Sequence, residues 1–485
     1  MSVKVPRLII AGLSGDSGKT IVSLSLLAAL GRRGQAISVF KKGPDYIDAA
    51  WLSFAAGCAC RNLDTYMVSE EEVRNSFVSH TQSNAIAVVE GNRGLFDGKD
   101  TTGTHSTAEL AKLLDAPVVL VIDATKVTRT VAAMINGCRD FDSRVNITGV
   151  VLNRVAGKRH QRVLTDSIEQ YCGIPVLGCI PKMEEKARLI PGRHLGLVTP
   201  AEYDADSSLT DRLVEIAERY LDVDALTEIA MTAAPLESPS EVKEVKTSRQ
   251  VRIGVFRDSV FTFYYPENLE ALESCGAELV PISSLVDHEL PDIDGLYIGG
   301  GFPETHAERL TANRSLMQSV RKAALGGLPV YAECGGLIYL CRSLMWRKQT
   351  YPMAGVFDID LEMHEKPFGH GYTELLIDRA NPFFNIGAVL KGHEFHYTGP
   401  DSALKADAGC AAMTRGSGLG NSRDGLMVKN TLALYTHLHA LGVKDWARAM
   451  VSRASERHRV NDSETKRTPA EDDRRTKKVR IAAGI

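Results

Sequence analysis

Short apolar runs recur along the chain between longer stretches of helical periodicity, and this alternation predicts parallel sheets wrapped by helices, an α/β fold. The runs fall at residues 8–11, 85–89, 118–123, 147–153, 251–256 and 295–298. A helix-periodic stretch, residues 21–30, follows the first run after a glycine-rich turn. From 224 to 250 the chain turns polar, with Pro235, Pro239 and a run of Glu and Lys, which predicts a linker. The strand at 251 then opens a second domain. From 455 the composition becomes strongly charged and poor in apolar residues, as in a disordered tail. The expected organisation is therefore 1–223, a linker at 224–250, 251–454, and a tail at 455–485, with mostly parallel sheets in both domains.

Composition narrows the class. At 485 residues the chain has room for two or three domains, each with its own core. A formal net charge of -3 gives no electrostatic case for nucleic acid or an anionic membrane. No apolar run reaches spanning length, and the N-terminal hydrophobic segment opens directly into a glycine-rich loop, which argues against a cleaved signal. Nine cysteines, an odd number, suggest reduced thiols in the cytoplasm. Cys58-Ala59-Cys60 has no second paired cluster, so a structural role is expected there. A homodimer is among the assemblies this reading allows.

Candidate chemistry begins at Gly12-Leu13-Ser14-Gly15-Asp16-Ser17-Gly18-Lys19-Thr20. A strand, a glycine-rich loop, Lys-Thr and a helix make a phosphate-binding loop, with Gly12, Gly15 and Gly18 letting backbone amides face the phosphates. Lys19 supplies charge, and the Thr20 hydroxyl can bind magnesium. Five residues separate Gly12 from Gly18, where the standard spacing has four. Lys41-Lys42-Gly43-Pro44-Asp45-Tyr46-Ile47-Asp48 follows a short strand. There Lys41 can neutralise phosphate, while Asp45 and Asp48 can hold magnesium or orient a substrate. The strand at 85–89 leads into Glu90-Gly91-Asn92-Arg93-Gly94-Leu95-Phe96-Asp97-Gly98, read as a glycine-rich loop. Glu90 suits a magnesium ligand and Asp97 a substrate or metal contact. Asn153, at another strand end, has the donor and acceptor needed to read an adenine edge.

The second half carries a different chemistry. Ala332-Glu333-Cys334-Gly335-Gly336 sits between an apolar run and a helix-like segment. A cysteine on such a strand-to-helix turn is presented as a nucleophile, and a helix N-terminus predicts a lowered thiol pKa. Tyr297-Ile298-Gly299-Gly300-Gly301 is another glycine-rich strand end, whose amides can join that of Gly335 in an oxyanion hole. In Tyr435-Thr436-His437-Leu438-His439, His437 is the candidate base and His439 its fallback. His393 and His396 are read as lining a junction, binding substrate or serving structure.

Together, Gly-x5-Gly-Lys-Thr, Lys-x-Gly-Pro-Asp-Tyr-Ile-Asp, Glu-Gly-x-x-Gly-Leu-Phe-Asp-Gly and Glu-Cys-Gly-Gly resemble the cobyrinic acid a,c-diamide synthase family over about residues 5–450. The first domain also resembles dethiobiotin synthetase, a P-loop NTPase-like fold, and the second a class I glutamine amidotransferase. The resemblance implies ATP and Mg²⁺ as cofactors, with Lys19 and Lys41 on phosphates, Thr20, Glu90 and Asp48 around magnesium, and Asn153 at adenine. It implies Asp45, Tyr46, Asp48 and Asp97 at the substrate, and glutamine and a tetrapyrrole carboxylate as the partners. Many class I amidotransferases have His-Pro-Glu at the catalytic histidine. Here no acid follows His437 at that position, so a Cys–His dyad or another orienting group is implied. Sirohydrochlorin, its nickel chelate and sirohaem are alternative substrates for such an amidase. A partitioning-type ATPase or a tetrapyrrole-binding protein without activity would leave Cys334 and His437 idle.

Overall fold

The computed structural model describes residues 2–183, 190, 192–193, 196–203, 207–237, 251–405 and 408–459. Two compact units, Met1–Lys243 and Glu244–Ile485, divide within the segment expected as the linker.

Seven strands build the sheet of the first unit: β1 (Arg7–Gly12), β2 (Ile37–Lys42), β3 (Cys60–Leu63), β4 (Ile86–Gly94), β5 (Val118–Asp123), β6 (Ile147–Val155) and β7 (Val176–Pro181). They lie in the order β3-β2-β4-β1-β5-β6-β7, every neighbouring pair parallel. Helices cover such a sheet on both faces, so its strands read as continuous apolar runs. Along β1 and β2 every residue is buried, including Lys41 and Lys42. Helix α1 (Lys19–Arg32) starts from Gly18, whose φ of 97° is left-handed and suits glycine. Its Val22, Leu24, Leu26, Leu27 and Leu30 enter one core with Ile10, Val88, Val121 and Trp51. Helix α2 (Tyr46–Ala56) is capped by Asp45, whose carboxylate accepts from the Asp48 amide at 2.8 Å.

Two boundaries differ from expectation. Strand β4 does not stop at Val89 but runs to Gly94, because β1 offers a pairing edge as far as Gly12↔Gly94. Glu90 is therefore a strand residue. Residues 224–231, expected in the linker, belong to the helix Val223–Met231, whose Leu226 and Ala230 are fully buried in the first unit's core. Leu236–Glu237 then pairs with Ser2–Val3. The rest of the expected linker, 238–250, lies outside the described residues, as does the expected tail from 460 onward; residues 455–459 are still helical.

In the second unit, β8 (Val251–Phe256), β9 (Ala277–Ile282), β10 (Gly295–Ile298), β11 (Val330–Glu333), β12 (Leu426–Val428) and β13 (Thr431–Leu434) form a sheet ordered β9-β8-β10-β11-β13-β12. All its pairs are parallel except β12–β13. The unit also carries two smaller sheets that the apolar pattern did not announce. One is antiparallel, ordered Arg423–Asp424, Ala411–Arg415, Gly369–Ile377, Val389–His396 and His437–Leu438. Its last strand continues from β13 after two residues, so the segment bearing His437 crosses from one sheet to the other. Among the described residues no helix is long and apolar enough to cross a membrane.

Candidate active sites

In the first unit the loop between β1 and α1 is tightly fitted. A Cβ on Gly12 would lie 2.5 Å from Ser17 Oγ and 2.8 Å from Lys19 Nζ, and one on Gly18 would lie 2.0 Å from Asn153 Nδ2. Gly15, in contrast, has nothing within 4 Å, leaving that part of the loop open. Lys19 donates to the Arg93 carbonyl at 2.7 Å and to that of Ser14 at 3.4 Å. Burial, followed by the nearby Lys41, pulls its pKa below the usual lysine range.

Lys41 is the centre of the charged cluster. Its Nζ lies 2.6 Å from Glu90 Oε1 and 2.6 Å from Asp48 Oδ2, and it donates to the Gly91 carbonyl at 3.3 Å. Burial opposes its charge, but the carboxylates of Asp48, Glu90 and Asp45 outweigh burial and hold the ammonium above the ordinary lysine range. Burial and then the Asp48 carboxylate push Asp45 up to about 6. Glu90 is also raised, chiefly by burial against the opposing pull of Lys41. The Thr20 hydroxyl donates to Glu90 Oε1 at 3.3 Å, and the Ser23 hydroxyl also supports this carboxylate. A hydroxyl beside a carboxylate is a hard oxygen donor set that fits a magnesium ion taking its other ligands from phosphate and water. Among the described residues no three His, Cys, Asp or Glu side chains form a closed cage. Asp48, expected as a further ligand, is engaged by Lys41.

The remaining first-unit candidates have local tasks. Asn153 donates to the Ser17 carbonyl at 2.9 Å and accepts from the Arg154 amide at 2.9 Å, so it braces the loop from β6. Asp97 accepts from the Gly94 amide at 2.8 Å and closes the turn after β4 while staying exposed. Tyr46, half-buried, is the first residue of α2. None of the nine cysteines, Cys58 and Cys60 included, forms a disulfide.

In the second unit Cys334 occupies the turn between β11 and the short helix Gly335–Leu340. Its φ of 46° and ψ of -97° are strained for a residue with a side chain, and its amide is fixed to the Leu434 carbonyl at 2.7 Å. The expected lowering of its pKa is overturned. Burial pushes the thiol up, the Glu304 carboxylate adds to this, the Gly335 amide opposes it, and Glu333 and Glu394 raise it further. A helix of only six residues does not offset that burial and negative charge. The sulfur is held as a thiol, so a nucleophilic role would require a base.

The candidate base, His437, lies against the Gly300 loop. A Cβ on Gly300 would lie 2.4 Å from His437 Cε1 and 3.3 Å from its Nε2, and one on Gly335 would lie 2.9 Å from the Gly301 nitrogen. The three expected oxyanion glycines, the nucleophile's turn and the histidine edge thus meet at one place. His437 Nδ1 lies 3.4 Å from Glu333 Oε2, and the ring stacks on His393 at 4.9 Å between centroids. Glu333 is fully buried; its Oε1 also accepts from Tyr331 OH at 2.9 Å and the Leu438 amide at 3.1 Å.

His439, the fallback base, does not share this face, because the strand ends at Leu438. Its Nε2 lies 3.6 Å from Glu267 Oε2 and its ring packs on Tyr265 at 4.6 Å. His396 stacks on Tyr435 at 3.7 Å and lies 3.3 Å from Glu394, which accepts from the Ser417 and Gly418 amides. It is a packing group.

A CobB/CobQ-like glutamine amidotransferase domain model matches residues 252–444, and a CobQ/CobB/MinD/ParA nucleotide binding domain model matches residues 8–194. A cobyrinate a,c-diamide synthase of Magnetococcus marinus is 42% identical over 92% of this chain and 97% of its own length. Enzymes of the same name from Archaeoglobus fulgidus and Methanosarcina acetivorans are 41% and 40% identical over 94% and 93% of this chain, and over 98% and 95% of their own lengths. The chain belongs to the cobyrinate a,c-diamide synthase family.

Set against the family pattern quoted above, three buried carboxylates carry structure that sequence did not reveal. Glu333, at the end of β11, approaches His437, 104 residues away in sequence. Asp424 accepts from the Tyr435 and Thr436 amides at 3.0 and 3.1 Å and so fixes the segment leading to His437. Glu394 holds the Ser417–Gly418 turn. The one signal available was Glu333 itself: an acid inside an apolar strand, next to the nucleophile, needs a buried partner. Asn268 donates to the Leu438 carbonyl at 2.9 Å and accepts from the Ala440 amide at 2.7 Å, clamping the segment that bears His437.

Proposed function

We propose that this protein is an ATP-dependent carboxylate-amide ligase that uses glutamine as nitrogen donor and amidates the a and c acetate side chains of cobyrinic acid. The observation that carries the reading is the coexistence, in one chain aligned nearly end to end with cobyrinate a,c-diamide synthases, of the Cys334–His437–Glu333 arrangement and the Lys19–Lys41–Glu90 cluster.

In the second unit His437 takes the Cys334 proton as sulfur attacks the glutamine carboxamide. Glu333 steadies the imidazolium that forms, and the amides of Gly301 and Gly335 receive the developing oxyanion. His437 then returns the proton to the departing ammonia, leaving a γ-glutamyl thioester for water to hydrolyse. In the first unit Lys19 and Lys41 stabilise charge on the phosphoryl group passing from ATP to the substrate carboxylate, and Asp45 and Asp48 orient the substrate. Ammonia displaces phosphate from the resulting acyl phosphate and gives the amide. Thr20 and Glu90 would hold Mg²⁺, which supplies charge neutralisation to the phosphates.

The test is glutamine-dependent ATP turnover and amide formation with cobyrinic acid, sirohydrochlorin, nickel-sirohydrochlorin and sirohaem in parallel. Preferred amidation of cobyrinic acid supports the reading; preference for another tetrapyrrole reassigns the substrate, and glutamine-independent turnover removes the amidotransferase.

A further inference from the structure

His393 sits directly opposite the candidate base. The strand Val389–His396 pairs with His437–Leu438 in antiparallel register, His393 against His437 and Gly392 against Leu438. Side chains opposite one another across such a pair meet on one face of the sheet. Gly392 lets the strands come close: a Cβ there would lie 2.3 Å from the His437 carbonyl oxygen and 2.5 Å from Thr436 Cγ2. The result is a stacked pair of imidazoles, with ring centroids 4.9 Å apart and planes inclined by 23°. Both rings are buried.

The two rings meet different partners. At His437 Nδ1 stands the Glu333 carboxylate, 3.4 Å away and next in sequence to Cys334. At His393 Nδ1 stands the phenol of Tyr265, also at 3.4 Å, and the Tyr265 ring packs in turn on His439 at 4.6 Å. Glu394 follows His393, but successive strand residues face opposite sides, and Glu394 accepts from the Ser417 and Gly418 amides. Burial, followed by the charge that His437, His370 and His439 can carry, holds His393 well below the ordinary histidine range. Of the stacked pair, His437 is the ring with a carboxylate to balance an added proton. His393 is the ring that stays neutral.

We propose that His393 is a positioning residue for the glutaminase step, a ring whose face fixes the plane of His437 and stabilises the imidazolium formed as Cys334 gives up its proton. A cation over the face of a neutral aromatic ring is attracted by the ring's quadrupole, the more so where water is excluded. This rests on the reading of Cys334 and His437 as nucleophile and base. The base is then supported twice, by Glu333 at its edge and by His393 at its face.

The experiment uses the full chain and reads glutamine hydrolysis, with ammonia-dependent amidation as the check on folding. His393→Leu fills the site without a π-face, and His393→Phe supplies a π-face without the contact to Tyr265. His393→Leu should lower the glutaminase kcat by about tenfold and leave the KM for glutamine within about twofold. It should also move the acid limb of the kcat/KM profile down by about half a pH unit or more, because a less stabilised imidazolium gives up its proton at lower pH. His393→Phe should return kcat to within about threefold of wild type and restore the acid limb. Ammonia-dependent amidation should stay near wild type in both. A wild-type kcat and pH profile in His393→Leu overturn the proposal, and so does a His393→Phe as impaired as His393→Leu. Equal loss of the ammonia reaction also overturns it, since the ring would then serve folding alone. If His393→Leu does not fold, His393→Ala against His393→Phe makes the same comparison. A wild type that hydrolyses no glutamine, or a His437→Ala variant that still does, would instead overturn the assignment of nucleophile and base.

Discussion

Glu333 Oε2 lies 3.4 Å from His437 Nδ1, so the acid beside the candidate base is the residue immediately preceding Cys334. Where a class I amidotransferase with His-Pro-Glu places its acid after the histidine, here the acid comes from β11, one residue before Cys334. The consequence is mechanical. A single strand end places the Cys334 sulfur and contacts the ring of His437.

Glu333→Gln should lower glutamine-dependent kcat by about a hundredfold or more, because the amide stabilises neither the required tautomer nor the imidazolium. Its bonds to Tyr331 and the Leu438 amide can survive, so ammonia-dependent amidation should stay near wild type. Equal loss with both nitrogen sources would make Glu333 a folding residue only. His437→Ala should match the glutamine-specific phenotype, whereas that phenotype in His439→Ala alone would reassign the base.

Cys334→Ser should abolish glutamine-dependent amidation and preserve the ammonia reaction. The resting thiol has a second signature. A raised pKa leaves it neutral at pH 7, so its alkylation in the free enzyme should keep rising with pH beyond the ordinary thiol value of about 8.5. A plateau below pH 8 in the iodoacetamide rate profile would mean a preformed thiolate.

Gly300→Ala brings a Cβ to 2.4 Å from His437 Cε1. The ring must turn away, and glutaminase turnover should fall by about a hundredfold or more while ATP binding is unchanged. Normal glutamine hydrolysis in this variant would separate His437 from the Gly300 loop.

Lys19→Ala or Glu90→Gln should abolish amidation with either nitrogen source, since removing a preorganised charge from phosphoryl transfer commonly costs on the order of a hundredfold or more in rate. Hydrolysis of glutamine at Cys334 should persist. Near-normal amidation by both variants would take carboxylate activation away from the first unit.

Asp45→Asn joins stability to function. The folded-state pKa of Asp45, about 6, exceeds its unfolded value, so ionisation destabilises the fold as pH rises from about 4 through 6. Asparagine caps α2 equally well and carries no charge. The variant should therefore melt higher than wild type at pH 8, with the difference shrinking as pH falls toward 4, and should lose amidation at every pH. A melting difference that grows on acidification contradicts this sign.

Much of the molecule was legible because its signals are local. Continuous apolar runs gave the strands at 118–123, 251–256 and 295–298, which fold where expected. The phosphate loop and the nucleophile's turn were written in adjacent glycines. The end of β4 was misread because glycines there suggested a loop, while the neighbouring β1 supplied a pairing edge. The linker was begun too early because polar composition concealed the buried Leu226 and Ala230 of a real helix.

The sequence by itself determined the two units' fold class, and it singled out the glycine-rich loop, the candidate nucleophile and the candidate base. Only the tertiary structure decided what those groups experience. Lys41 is shared between Glu90 and Asp48, Cys334 is raised rather than lowered, and Glu333 meets His437 across 104 residues. Residue type and spacing fix the chemistry a side chain can perform. Its charge state and its partner depend on burial and on which strands pair, and those are properties of the folded chain.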